Sequence, residues 1–497
     1  MKIRDVLRGI DYQLLQKGNE NWEETEVTGL IYDSRKVTEG SAFACENGTV
    51  YDGIDFLNMA GEKGAVLAVM DKQPSQFPAG VSMVLVGDVM DAESRMAANF
   101  YPEALEDIVM IGMTGTNGKT TTSTLMHHIF MENGTMCGLI GTNENRIGDL
   151  HEAATHTTPY PFELYPLFER MKESGVKTLV MEVSSHALDQ HRVGQVHYHI
   201  GMFTNLSEDH LDYHKTMEAY LEAKCKLFYQ SDIGLINGDD PASKTILATK
   251  ACPFVTYGFG EDNTYRAVNS RMDAKGLDYD WYKGEELLGH VHYPVPGRFN
   301  IYNTLCAASA CHLAGVAPDV IVRGLNLEKP LVAGRFETYH SVDGVTAVVD
   351  YAHTPDGLEN VLETAREFVK GRVITVFGCG GDRDPKKRPI MGEIAGRLSD
   401  FSIITSDNPR TEDPEAIIDQ VEEGIKPTGG EYIRITDRRS AIAKAIDMAK
   451  DGDVVMVAGK GHEDYQIIGR VKIHLDDREE VKAALEKREM GRSNENA

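Results

Sequence analysis

Residues 108–121, Ile-Val-Met-Ile-Gly-Met-Thr-Gly-Thr-Asn-Gly-Lys-Thr-Thr, constrain this chain more than any other stretch. A short apolar run enters a glycine-rich turn, and a helical stretch from Lys119 to Met131 follows and stops at Asn133-Gly134, a C-terminal helix signal. Strand, loop and helix in that order open an α/β domain. Glycines let backbone N–H groups wrap around phosphate oxygens, the helix N-terminus adds a favourable dipole, Lys119 supplies a point charge, and Thr120 can reach Mg²⁺. The usual spacing Gly-x-x-x-x-Gly-Lys-Thr asks for glycine at position 113, where this chain has methionine, and the upstream glycine is moved to 115. The loop is read as a nucleoside triphosphate site, with Gly115, Thr116, Asn117, Gly118, Lys119, Thr120 and Thr121 as its contacts.

Similar apolar runs recur at 178–183, 200–205 and 233–237, and a second series at 346–351, 372–377, 401–406 and 453–458. Helix-length polar or amphipathic segments separate them, which predicts mostly parallel sheets with crossover helices. At about 100–200 residues per domain, a chain of 497 residues holds three, each able to bury a core. The boundaries expected are 1–105 for an N-terminal mixed α/β domain, 106–330 for a central phosphate-loop ATPase-like domain, and 331–497 for a C-terminal Rossmann-like α/β domain. The end from Lys487 to Ala497 is expected to fray.

With 51 Lys and Arg against 77 Asp and Glu, the formal net charge is −26, and a field of that sign repels nucleic acid and anionic membrane surfaces. Arg4, Asp5 and Arg8 interrupt the N-terminus where a secretory signal needs an apolar run, and no stretch reaches the ~20 apolar residues of a membrane span. Seven scattered cysteines without a Cys-x-x-Cys pair argue against a disulfide framework or a zinc site. These features predict a cytoplasmic protein, expected to be a monomer.

Polar sequence follows each apolar run directly, as it does where open α/β sheets gather ligands at strand ends. Glu182 stands at the end of one such run, and His210 in Thr-Asn-Leu-Ser-Glu-Asp-His follows the next. A carboxylate and an imidazole so placed beside a phosphate loop could hold a Mg²⁺ bridging phosphate and substrate carboxylate.

Together TGTNGKTTT, EVSSHAL and TNLSEDHLDYH resemble the ATP-dependent Mur ligase superfamily, and the resemblance extends over nearly the whole chain. It implies a shared reaction in which a carboxylate and ATP give an acyl phosphate that an amine converts to an amide. It makes Lys119, Glu182, His210 and Lys224 catalytic, with Thr120, Glu182, His210 and Lys224 around the metal. Lys224 lies in Ala-Lys-Cys-Lys-Leu-Phe, a segment similar to one whose lysine becomes a carbamate, so that role is wholly inherited. Asn303 and Arg335 match positions that complete the ATP site. Ser34, Thr157, Thr158, Ser184, Gln190 and Arg192 match those that hold a UDP-muramoyl dipeptide.

Three later strand ends present Gly-Gly-Asp-Arg-Asp (380–384), Asp-Asn-Pro-Arg (407–410) and Gly-Lys-Gly-His-Glu (459–463). An amino acid whose far end carries carboxylate and ammonium needs guanidinium forks for one and an acid for the other. Arg383 and Arg410 can supply the forks and Glu463 the acid. Asp407-Asn408-Pro409-Arg410 resembles the signature of the diaminopimelate-adding family members, with Arg383, Gly459 and Glu463 as its companions. Two rival readings remain at this point: a lysine-adding relative, and a nucleotide-binding regulatory protein that has lost ligation.

Overall fold

The computed structural model describes residues 1–46, 52–273, 276–328 and 332–495; the break expected near residue 330 lies outside the described residues. The largest sheet has eleven strands, and Val109–Thr114 is at its middle. Thr178–Glu182 pairs with it in parallel on one side and Tyr198–Phe203 on the other. Cys137–Ile140 continues the parallel series outward on the first side, and Ser231–Asn237 then Phe254–Gly258 continue it on the second. Every residue of Thr178–Glu182 is buried, which is why that strand reads as an unbroken apolar run; Cys137–Ile140 is equally buried but too short to stand out in the sequence. Helix Lys119–Glu132 packs against this sheet and against helix Arg298–Leu313. The chain builds away from Val109–Thr114 first in one direction and then in the other, so the glycine-rich turn sits at a switch point of the sheet, where a crevice opens.

Antiparallel strands extend both edges, outside the series legible as apolar runs. Glu144–Ile147 and Leu150–Ala153 form a hairpin beside Cys137–Ile140, and Tyr265–Asp273, Gly276–Lys283 and Glu286–Tyr293 form a meander at the far edge.

Residues preceding the central sheet form a five-stranded sheet in the order Tyr12–Gln16, Ser82–Val86, Leu67–Met70, Ser41–Ala44, Gly29–Ile31, antiparallel only at the first pair. Its core is continuous with that of helix Pro161–Glu173. The last sheet runs Glu337–His340, Thr346–Asp350, Val454–Ala458, Val373–Phe377, Phe401–Ile404, Tyr432–Arg434, again antiparallel only at the first pair.

The tail does not fray at Lys487. Helix Asp477–Glu495 runs on to Glu495, and Arg488 within it clamps Asp343 at 2.7 Å and donates to the carbonyls of Ile446 and Ala449. At the other end of that helix Asp477 pairs with Arg438 through two hydrogen bonds of 2.8 and 2.6 Å, both side chains fully buried. Among the described residues no helix is long and apolar enough to cross a membrane.

Candidate active site

The turn after Val109–Thr114 is held in a conformation that needs its glycines. Gly115 has φ +148° and Gly118 φ +85°, and a Cβ on Gly118 would lie 2.3 Å from Asn303 Oδ1. Neighbouring strand ends hold the loop: the Thr116 and Asn117 amides donate to the backbone and side-chain oxygens of Asn205, each at 2.9 Å. Lys119 folds back on the loop and donates to the carbonyls of Gly115 (2.9 Å) and Thr116 (3.0 Å). Burial lowers the pKa of its ammonium, and Arg335 adds to that shift while Glu182 and Asp209 oppose it.

Glu182, 1% exposed, accepts hydrogen bonds from the Thr120 hydroxyl at 3.2 Å, the Ser123 hydroxyl at 3.3 Å and the Thr142 hydroxyl at 2.8 Å. The Thr142 amide adds a fourth at 3.2 Å; all are neutral donors, so among the described residues this buried carboxylate has no cationic hydrogen-bond partner, a donor set that fits a bound cation. Among the described residues no group of three or more His, Cys, Asp or Glu stands ready to hold a metal.

Lys224 is 1% exposed, donates to the Gly115 carbonyl at 2.9 Å, and lies 4.1 Å over the Tyr220 ring. Burial, and then the nearness of Lys119, push its pKa well below the usual lysine value. His210 sits in left-handed backbone, φ +54°, against Asp209 at 3.4 Å. Although its side chain is 47% exposed, partial desolvation among the loop residues moves its pKa down to about 4, which leaves a neutral imidazole.

A cavity of about 370 Å³ opens beside the loop, and its walls come from both the central and the C-terminal sheets. Asn117, Gly118 and Asn303 form one side; Arg335, Tyr351 and Asp356 form the other. The Arg335 guanidinium lies 4.5 Å from the Tyr351 ring, and its buried Nε has no hydrogen-bond partner among the described residues, an orphan donor at a cavity wall.

The residues expected to hold the dipeptide form a second cluster. Arg192 donates to Gln190 Oε1 at 2.6 and 3.0 Å and to the Thr158 carbonyl at 3.0 Å, and lies 3.8 Å over the Tyr160 ring. The Thr158 hydroxyl bridges the Glu182 carbonyl and the Ser184 amide, and Thr157 meets Thr142 at 3.1 Å. Burial lowers the Arg192 pKa. Ser34 is buried in the N-terminal sheet domain, two residues from Tyr32, whose hydroxyl donates to Glu163 Oε1 at 2.5 Å and whose ring meets Tyr160 at 5.6 Å. The structure gives Ser34 no direct hydrogen bond to Gln190 or Arg192.

A third cluster lies at the carboxyl ends of the last sheet. Arg410, φ +51°, donates to the Gly381 carbonyl at 2.7 Å; burial and then the neighbouring Arg383 lower its pKa. Arg383 is exposed and donates to the Asp382 carbonyl at 2.9 Å. Asn408 Nδ2 donates to Glu463 Oε2 at 2.9 Å, Asp407 Oδ1 accepts from the Asn408 amide at 2.6 Å, and the Gly459 amide donates to the Asp350 carbonyl at 3.0 Å. Pro409 contributes backbone, its carbonyl accepting from the Glu412 amide at 3.1 Å.

Three residues escaped the sequence reading because only tertiary structure brings them to the site. Asp356 accepts from Asn117 Nδ2 at 2.7 Å across 239 residues, Lys387 reaches Asp209 at 2.5 Å across 178, and Thr142 closes on Glu182. Lys387 belongs to the helix that follows Arg383, so both contacts tie the C-terminal domain to the loops of the central one.

Comparison with known proteins gives three consecutive family matches. Residues 26–101 match the Mur ligase family catalytic domain, 113–311 the Mur ligase middle domain, and 334–461 the Mur ligase glutamate ligase domain. A curated relative from Clostridium acetobutylicum, UDP-N-acetylmuramoyl-L-alanyl-D-glutamate--2,6-diaminopimelate ligase 1, is 44% identical over 97% of this chain and 98% of its own. A solved structure of a ligase with the same substrate description is 30% identical, covers 98% of this chain and 99% of its own, and superposes with a TM-score of 0.69. The MurF ligase of Thermotoga maritima, solved with ADP, shares the fold at 19% identity, with a TM-score of 0.63 over 93% of this chain and 99% of its own.

Proposed function

The chain belongs to the Mur ligase family, and from that premise we propose that it joins meso-2,6-diaminopimelate to the D-glutamate of UDP-N-acetylmuramoyl-L-alanyl-D-glutamate at the expense of ATP, a step in peptidoglycan precursor synthesis. The D-glutamyl carboxylate takes the γ-phosphoryl group, ADP is released, and the diaminopimelate amine displaces phosphate from the acyl phosphate to form the amide. The observation that carries the amino-acid assignment is the third cluster: the Arg410 guanidinium and the Arg383 side chain lie beside Gly380, suited to a distal carboxylate, and Glu463 is hydrogen-bonded to Asn408, suited to a distal ammonium.

The phosphate loop and the cavity wall of Asn303 and Arg335 would take ATP, with Lys119 exchanging loop carbonyls for phosphate oxygens and offsetting charge on the transferred group. Thr120 and Glu182 would hold Mg²⁺, with His210 and the carbamate of Lys224 as further ligands; the ion, when bound, supplies charge neutralisation between phosphate and carboxylate. A neutral, buried Lys224 is the form that adds CO₂ and releases a proton, and the resulting anion would turn a like-charge approach to Lys119 into an attraction. Arg192, Gln190, Thr157, Thr158, Ser184 and Ser34 would orient the UDP-linked substrate. Contacts between the C-terminal domain and the loops would exclude water from the acyl phosphate. We assign the domains as 1–105, 106–330 and 331–497, the location as cytoplasmic and the working unit as a monomer.

The test incubates the purified chain with ATP, Mg²⁺, the UDP-dipeptide and either diaminopimelate or lysine. Tripeptide is expected with diaminopimelate alone; tripeptide from lysine but not diaminopimelate overturns the substrate assignment, and ATP hydrolysis without product favours the ligation-deficient reading.

A further inference from the structure

The sequence Gly459-Lys460-Gly461-His462-Glu463 contains a charged residue to which no role has been given. The Lys460 side chain is 0% exposed, and a fully buried ammonium is costly unless anions and hydrogen-bond acceptors surround it. Here it has three: Glu463 Oε2 at 3.2 Å, Asn408 Oδ1 at 3.3 Å and Asp407 Oδ1 at 3.9 Å. The Ile467 amide also donates to Asn408 Oδ1, at 2.9 Å, which fixes the amide so that its Nδ2 must face Glu463 Oε2. Glu463 Oε2 thus receives two donors from inside the protein. Oε1 receives none from the described residues, and the Glu463 side chain is 15% exposed.

We propose that Lys460 is a positioning residue for the amino-acid substrate, holding the Glu463 carboxylate by one oxygen so that the other is presented to the distal ammonium of diaminopimelate. The charge count supports this arrangement. Asp407 and Glu463 bring two negative charges and Lys460 one positive, so the acidic half of the cluster keeps a single negative charge to match a single ammonium, while Arg410 and Arg383 face the carboxylate. Without Lys460 two carboxylates would confront one ammonium, and Asn408 alone would set the direction of Glu463.

This inference rests on the diaminopimelate reading, and the experiment separates the two. Steady-state kinetics of the full chain are compared for wild type, Lys460→Met, Glu463→Gln and the double variant, with Lys460→Arg as a charge-preserving control. Lys460→Met is expected to raise KM for diaminopimelate by about tenfold or more, the effect of losing a charge-assisted hydrogen bond, while KM for ATP and for the UDP-dipeptide stays within about twofold. Lys460→Arg is expected to recover part of the loss, and to show a smaller rise of the same selectivity should methionine not fold. Because Lys460 acts through Glu463, the double variant should be little worse than Glu463→Gln alone. An unchanged KM for diaminopimelate in a folded variant, a parallel rise for all three substrates, or additive effects in the double variant each overturn the proposal. A wild-type chain that cannot use diaminopimelate overturns the underlying reading instead.

Discussion

Lys119 and Lys224 donate to the same carbonyl oxygen, that of Gly115, each at 2.9 Å. Two ammonium groups at one acceptor repel unless one of them is neutral or modified, and burial already drives Lys224 that way. In the proposed reaction Lys119 is the one whose charge is needed. Lys119→Ala should lower kcat by about a hundredfold or more, the usual scale for removing one charge-stabilising donor, and the drop should persist at saturating ATP. Retention of normal turnover would remove the loop lysine from the reaction. Its partner was the harder residue to read. Lys119 is legible in Gly-Lys-Thr after an apolar run, whereas Lys224 is an unremarkable helix position whose approach to Gly115 spans 109 residues and appears only in three dimensions.

Helix Lys119–Glu132 carries both the glycine-rich loop's lysine and a buried histidine. His127 is 4% exposed and its Nε2 has no hydrogen-bond partner among the described residues. Burial, with Arg146 adding to it, lowers its pKa to about 4. Folding therefore requires the neutral ring. The stabilisation this represents is complete above the unfolded value of about 6.5 and is lost as pH falls toward 4, up to about 3 kcal/mol. The melting temperature should decline over that window, and His127→Gln, which cannot titrate, should flatten the decline; an identical pH profile in the variant would contradict the assignment. At this scale parallel strands such as Thr178–Glu182, Val373–Phe377 and Val454–Ala458 were legible because burial on both faces makes them continuous apolar runs. The meander of Tyr265–Asp273, Gly276–Lys283 and Glu286–Tyr293 was not, because one face is wet and its residues alternate between buried and exposed. The Glu144–Ala153 hairpin hides for a similar reason, being short, polar and at an edge.

Across the whole molecule, the central and C-terminal domains meet through a few named contacts. Lys387 and Asp209 pair with side chains only 14% and 11% exposed. Burial works against the Asp209 carboxylate, yet His210 and Lys387 together hold its pKa well below the usual range. Lys387→Ala should weaken the closed arrangement by about 1–3 kcal/mol, and solution scattering without nucleotide should report a larger radius of gyration; an unchanged radius would show that the pair does not hold the domains. None of this was visible in the motifs, which place residues on loops but say nothing of which loops face one another. The cavity has a further consequence. Because Asn303 stands on one wall and Arg335 on the other, neither domain alone supplies the whole cavity proposed for ATP. Binding and closure must then trade free energy in equal measure, each strengthening the other by the same factor. An antibody fragment that recognises only the parted domains would therefore act as an ATP antagonist without ever entering the cavity.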